Sequence, residues 1–304
     1  MTSYYGRPVL KPPVWEWKIP GYLFTGGLSA GSALLGAGGD LTGRPALRRA
    51  GRLGALASLG VSTYLLVADL GRPGRFHHML RVARPTSPMS VGSWLLMAYA
   101  PGTGVAALSE LVPRRLPPRW RPVVRAAGLE SATVAPAVAC YTAVLLSQTA
   151  VPAWHEAHRE LPFVFAGSAA ASSGGLGMLF APVEEAGTAR VFAAYGGVTE
   201  LVLSRVLENR PGLLREVYRT GRAHRLRKWS EALTAAGLVS GIAARRSRAA
   251  AVVSGLALLA GSALQRFGVF EAGVASTRDP KYVVEPQRER LRAASSGSRP
   301  VPGP

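Results

Sequence analysis

The chain has 304 residues, 48% of them hydrophobic and only 17% charged, with 35 glycines and a formal net charge of +19. This composition argues against an ordinary soluble domain and for a lipid-embedded chain. The 36 Lys and Arg residues gather in short runs between apolar stretches, without the interleaved aromatics of a basic groove, which argues against nucleic acid as a partner and fits loops left behind by membrane insertion.

The first 18 residues are polar and aromatic, with Tyr4, Tyr5, Trp15 and Trp17, and lack the charged head, short apolar core and small-residue cleavage site of a signal peptide, so the first apolar segment is expected to be retained. Segments long enough to cross a bilayer, about 20 residues each, are predicted at 20–39, 51–69, 88–111, 128–151, 161–183, 187–207, 230–245 and 249–275. The seventh is the shortest and richest in Ala and Gly, and a re-entrant course there would move the C-terminus across the membrane. The expectation is an all-α polytopic membrane protein of about eight transmembrane helices. Four lie on each side of the 151–160 loop, as two four-helix bundles, flanked by an N-terminal segment (1–19) and an extended or disordered tail (276–304) around the integral-membrane domain (20–275).

Small residues recur four apart, as in Gly27 with Gly31, Gly167 with Ala171 and Gly237 with Gly241. In lipid, where hydrophobic drive between helices is weak, such spacing supplies close backbone packing. Between the sixth and seventh segments, residues 211–228 alternate Leu213, Leu214, Val217, Tyr218 and Leu226 with arginines, as a helix lying on the membrane surface would. Eight crossings put both termini on one side, here called face A. Face A also receives the 69–87, 152–160 and 208–229 loops and the larger share of Lys and Arg, which favours face A as cytoplasmic in a bacterial plasma membrane.

Ionisable residues inside spans are costly and usually functional. Counting at about 1.5 Å per residue places Tyr64, Asp69, Glu200, Arg205, Glu231, Arg266 and Glu271 in the half nearer face A. Such a gathering suits proton exchange with a quinone, for which Asp69, Glu200 and nearby histidines are candidates. Pairing of Glu200 with Arg205 or Arg266 is the structural alternative. Bilayer haem needs imidazole ligands within spans, yet His77, His78, His155, His158 and His224 fall in loops or at segment ends, so no haem is expected. Nor is an iron–sulfur cluster held by this chain, because such clusters take about four thiolates and the sequence has one, Cys140.

Four stretches carry a resemblance. They are GYLFTGGLSAGSALL (21–35), DLGRPGRFHHMLRVARPTSPMSVGSWLL (69–96), AVPAWHEAHRELPFVFAGSAAASSGG (150–175) and RFGVFEAGVASTRDPKYVVEPQRER (266–290). In this order they resemble the NrfD type of membrane subunit, which includes that of polysulfide reductase. The resemblance implies an eight-helix, haem-free subunit that binds menaquinone or ubiquinone near the face where a ferredoxin-like iron–sulfur subunit docks, itself in contact with a molybdopterin catalytic subunit. It places the quinone near Trp17 and Tyr22, near Asp69, Arg72 and His78 of the loop after the second span, and near Trp154, His155 and Glu156. Asp69, Glu200, His155 and Glu156 are the candidate proton-handling residues. Polysulfide reductase and formate dehydrogenase types are both open, with formate the preferred donor. A secondary transporter and a passive membrane anchor are the competing readings.

Overall fold

A computed structural model gives the structure of the chain and describes residues 10–11, 13–112, 117–209 and 214–297. Tyr4, Tyr5, Leu213 and the last residues, 298–304, lie outside the described residues. Among the described residues eleven α-helices follow one another: α1 (Lys18–Leu41), α2 (Pro45–Ala68), α3 (Pro88–Leu111), α4 (Arg121–Ser147), α5 (Pro152–Glu156), α6 (Leu161–Phe180), α7 (Gly187–Glu208), α8 (Leu214–Arg219), α9 (Gly221–Ala243), α10 (Arg248–Arg278) and α11 (Lys281–Gly297). A 3-10 helix (Pro73–Leu80) sits between α2 and α3.

Prolines mark where helices begin. Pro45 and Pro88 open α2 and α3, and proline near a first turn loses no intrahelical bond because that N–H would be unpaired anyway. At α3 the Ser87 side chain also accepts from Ser90 N, capping a backbone donor that the helix leaves unpaired.

The eight long helices that precede α11 form two four-helix bundles. In the first, α1 packs on α2 and α4, and α3 closes the ring against both; in the second, α6 packs on α7 and α10, and α9 closes the ring. The bundles meet where α6 lies against α1 and α4, and α10 against α1. Five helices are long and apolar enough to cross a membrane by length and composition: α2, α3, α4 with its preceding turn, α6 and α10. The protein is therefore an all-α polytopic membrane protein. The other three long helices are less apolar for visible reasons. α1 is largely Gly, Ala and Ser and is enclosed by its neighbours, α7 carries Val191, Val198 and Val202 on an exposed outer face, and α9 opens with two charged turns.

Close backbone approach holds the helices together. A methyl group on Gly51 would lie 2.6 Å from Gly36 Cα and 2.8 Å from Ser32 O, so α1 and α2 touch backbone to backbone. Gly175 and Gly255 do the same for α6 and α10, where a methyl on Gly175 would stand 2.9 Å from Gly255 O. The Gly27/Gly31 pair faces α6, as four-residue spacing predicts, and Gly167 faces α7. Buried hydroxyls add directional bonds: Ser29 Oγ donates to Ala55 O (2.8 Å) and lies 2.9 Å from Tyr99 Oη, tying α1 to α2 and α3.

Two expectations change. α9 begins at Gly221 and runs unbroken for 23 residues, so the seventh segment is a full-length helix, and the expected surface helix over 211–228 is divided between the short α8 and the first turns of α9. The tail expected to be extended is helical as α11: Lys281 donates to both carboxylate oxygens of Glu216 (3.0 and 2.9 Å) and joins it to α8.

Replacing Gly51 with Leu therefore forces two backbones apart, whereas Gly38 on the same pair of helices has open space beside it. Gly51→Leu is expected to destabilise the detergent-solubilised protein by about 1–3 kcal/mol or more, and Gly38→Leu far less, as read by thermal unfolding.

Candidate functional site

Face A is where the described chain ends come together, since Leu10 lines a cavity with Tyr282 and Pro286. Trp154 of α5 is fully buried beneath this face. Its indole stacks on Trp15 (centroids 5.8 Å apart), packs against Phe270 of α10 (5.6 Å), and donates from Nε1 to Val269 O at 2.9 Å. Gly273 leaves the room, because any side chain there would run into the Trp154 ring. Tyr218 of α8 donates to Ala153 O (3.1 Å), fixing α5 from the other side.

The cavity beside Trp154 has a volume of about 420 Å³ and is lined by apolar Leu10, Pro152 and Val283 together with His155, Glu156 and Tyr282. His155 Nδ1 lies 3.1 Å from Ser147 O. A carbonyl only accepts, so Nδ1 carries the hydrogen and, in the neutral ring, Nε2 is left as a proton acceptor. Burial pushes the Tyr282 phenol above its usual range, which keeps it protonated and able to donate.

A second group of residues lies along the same face. Asp69, just past the end of α2, is half-buried and accepts from the Glu16 backbone beside Lys18; burial raises its carboxyl above the usual range although Lys18 opposes the shift. Tyr22 is buried in α1 with its hydroxyl on that of Tyr141, and the Tyr141 ring fills the space left by Gly92 of α3. Trp15 and Lys18, three residues apart and so spanning at most roughly 10 Å of chain, reach both groups.

The predicted residues thus divide. His155 and Glu156 line the cavity, Trp154 next to them is fully buried and does not line it, and Tyr22 and Asp69 lie along the same face. Trp17 is 62% exposed, and Arg72 and His78 stand exposed at the 3-10 helix, outside the cavity.

Glu200 lies apart from all of them, on α7 about 12 Å of helix from its face-A end. It is 1% exposed, with Thr234 Oγ1 and Ser262 Oγ each 3.4 Å from its carboxylate oxygens. Its charge is felt by Arg266 of α10 without a direct ion pair. Arg266 donates from Nη2 to Phe165 O (2.7 Å), lies 3.6 Å above the Phe165 ring, and has no hydrogen-bond partner for Nε or Nη1 among the described residues. Arg205 turns the other way, to Glu231.

The expected gathering of acids under face A is only half of the pattern. At face B, Glu110 of α3 accepts from Arg48 Nε (2.7 Å) and Arg52 Nη1 (2.9 Å), and Asp40 of α1 stands 3.6 Å from Arg48, Arg52 and Arg125. Arg52 and Glu110 are each 7% exposed. Sequence reading passed over this cluster, although Arg44, Arg48 and Arg52 stand four apart on one face of α2 and an acid lies within two residues of the ends of α1 and α3.

The family model described as polysulphide reductase, NrfD, matches residues 9–187. The chain belongs to the NrfD polysulphide reductase family. It is 35% identical over 94 residues to the C subunit of polysulfide reductase from Wolinella succinogenes. That alignment covers 29% of this chain and 30% of the relative, so the chain matches less than a third of the relative's length. The family match takes in the first bundle, α5 and α6, and with them Asp69, Tyr22, Trp154, His155 and the Arg48/Arg52/Glu110 cluster. Glu200, Arg266 and Tyr282 lie beyond it.

Removing one partner of a buried ion pair strands the other charge. Glu110→Ala, which takes the short pair from buried Arg52 and leaves it only the longer contact with Asp40, is expected to cost up to about 3–5 kcal/mol of stability, against little for exposed Glu184→Ala, in the same thermal assay.

Proposed function

We propose that this chain is the haem-free integral membrane subunit of a bacterial molybdopterin oxidoreductase complex. In this reading it passes electrons between the quinone pool of the plasma membrane and a ferredoxin-like iron–sulfur subunit docked on face A. The reading rests on one observation: a cavity of about 420 Å³ at face A brings His155, Glu156 and Tyr282 together against an apolar wall of Leu10, Pro152 and Val283. The volume falls within the range of small-molecule sites, and the mix of apolar wall with a few polar groups suits a ring bearing two carbonyls.

Menaquinone or ubiquinone supplies two-electron, two-proton redox chemistry when bound. The chain's own residues supply the proton handling. Tyr282, kept protonated by burial, donates a hydrogen bond at the cavity wall, and His155 Nε2 accepts or returns a proton while Ser147 O holds the ring. Asp69 exchanges protons with solvent at face A, and Glu200 is a buried acid deeper in the second bundle. Trp154, fully buried and stacked on Trp15, anchors the helix that carries His155 and Glu156, and Tyr22 is buried in α1. Trp17, Arg72 and His78, all exposed, belong to the rim that meets the partner subunits. Both polysulfide-reducing and formate-oxidising catalytic subunits are compatible with this role.

A second reading, a passive anchor, draws support from the pairing of face-A charges. Arg205 with Glu231, Arg222 with Glu271 and Arg227 with Glu208 leave these groups serving structure. The two readings part in the assembled complex. His155→Gln and Tyr282→Phe are expected to lower quinone-linked turnover about 100-fold or more while subunit assembly and reduction of the partner's clusters by substrate stay unchanged. Full turnover in a fully assembled variant would establish the anchor instead.

Asp69 gives a pH signature. Because its carboxyl is raised, it is protonated at a higher pH than an ordinary Asp, and it ceases to accept protons as the pH falls through that value. Quinol oxidation by the wild-type complex is expected to decline on the acid side accordingly, and Asp69→Asn to remove that limb from the pH–rate profile.

A further inference from the structure

At face B the second bundle opens. α7 and α9 are joined toward face A by Thr234 with Glu200 and by Arg205 with Glu231, and at mid-helix by Gly197 against the Leu238 side chain. Toward face B they diverge, leaving a groove of about 670 Å³ floored by Met178 of α6 and Leu258 of α10. The outer faces on either side are apolar and exposed: Val191 is 69% exposed on α7, and Val239 and Ile242 are 68% and 73% exposed on α9. In a polytopic membrane protein such faces meet hydrocarbon, so the groove is open to acyl chains and closed to bulk water.

Its mouth carries only positive charge. Arg190 and Arg245 line it, and Arg44 reaches in from the start of α2. A methyl on Gly187 would lie 3.4 Å from Arg44 Nη1 and 3.6 Å from Arg190 Nη2, so the two guanidinium groups converge there. Arg190 donates to Val183 O (3.0 Å) and Ala244 O (3.4 Å), and Arg44 to Thr188 Oγ1. None of the three has an ion-pair partner among the described residues. Glu185, on the loop that joins α6 to α7, turns instead to Ala46 N (2.7 Å) and Leu47 N (3.2 Å) and caps α2, while Glu184 is exposed.

We propose that this groove is a binding site for one anionic phospholipid, its phosphate held by Arg190 and Arg245 with Arg44 adding charge, and one acyl chain lying between α7 and α9. Charge complementarity selects the headgroup: three arginines without acids favour a net-negative phosphate ester over a zwitterion, whose own cation they repel. The apolar walls below select a lipid over a free anion. Arginine stems that lie along apolar surface with their heads at the membrane boundary suit this arrangement.

The test uses the full chain in detergent, with dioleoyl-phosphatidylglycerol, dioleoyl-phosphatidylcholine or inorganic phosphate added, read by thermal unfolding and by lipid retention in native mass spectrometry. Phosphatidylglycerol is expected to raise the midpoint by several degrees more than phosphatidylcholine and to persist as a one-to-one adduct. Arg245→Gln, at an exposed residue without a hydrogen bond among the described residues, is expected to weaken retention at least 10-fold. Ala194→Phe, which fills the groove from an exposed position on α7, is expected to abolish the one-to-one adduct while leaving the unliganded midpoint unchanged. Equal stabilisation by the two lipids would mean an annular contact only. Equal stabilisation by inorganic phosphate, or an adduct that survives both substitutions, would also overturn the proposal.

Discussion

The fold depends on close backbone approach between helices whose facing residues are Gly, Ala and Ser. Lipid gives α1 and α6 no hydrophobic reason to meet, so van der Waals contact and buried hydroxyl bonds hold the two bundles together. Gly31 lies against Ala169 O and the Ser173 side chain of α6, and Gly27 against Ala169. α6 becomes the most enclosed of the five candidate spans and carries its hydroxyls inward, with Ser172 and Ser173 bonded back to carbonyls of their own helix. The same smallness makes room for Arg266, whose Nη2 would stand 3.0 Å from a methyl on Gly27. A larger residue at position 27 would press on both the seam between the bundles and the guanidinium buried in it.

Buried charge is handled differently in the two bundles. In the first, Arg48 and Arg52 meet Glu110 directly, with Asp40 nearby, and most of the cost of burying charge is met by short, geometrically good pairs. In the second, buried Arg227 also meets Glu208 directly, whereas Glu200 and Arg266 stay out of contact. The carboxylate has only long hydroxyl contacts, and the guanidinium has one carbonyl and an aromatic face, its Nε and Nη1 without a hydrogen-bond partner among the described residues. A directly paired cluster resists any change in its protonation, whereas a separated acid and base leave each group's ionisation adjustable.

Much of the fold was legible because lipid simplifies the sequence. The eight long helices of the bundles overlap the predicted apolar runs, and the third begins at Pro88 as predicted. The misplaced parts are those where composition and conformation part company. Residues 221–229 are rich in Arg and Lys and read as a surface segment, yet they continue α9 because Arg227 is buried against Glu208 and over the Tyr218 ring. At the site, AWHE was legible through the resemblance of its segment to the NrfD type. Its companions were not: Trp15, Tyr141, Phe270 and Tyr282 come from four other elements and are brought in by packing alone. The Glu110 cluster was missed for a related reason, since two lone acids near span ends gain meaning only once α1, α2 and α3 are placed side by side.

Arginine pairing separates the two membrane faces of the second bundle. At face A, Arg205, Arg222 and Arg227 each have an acid: Glu231, Glu271 and Glu208. At face B, Arg44 and Arg190 reach only a hydroxyl and carbonyls, and Arg248 donates to the carbonyls of Met178 and Ala181 at the end of α6. Carbonyl partners cap helix ends but leave the formal charge in place. A cation at the membrane boundary with no acid of its own is stabilised by lipid phosphate. The second bundle thus pairs several of its face-A arginines with its own acids and leaves those at face B to carbonyls and a hydroxyl.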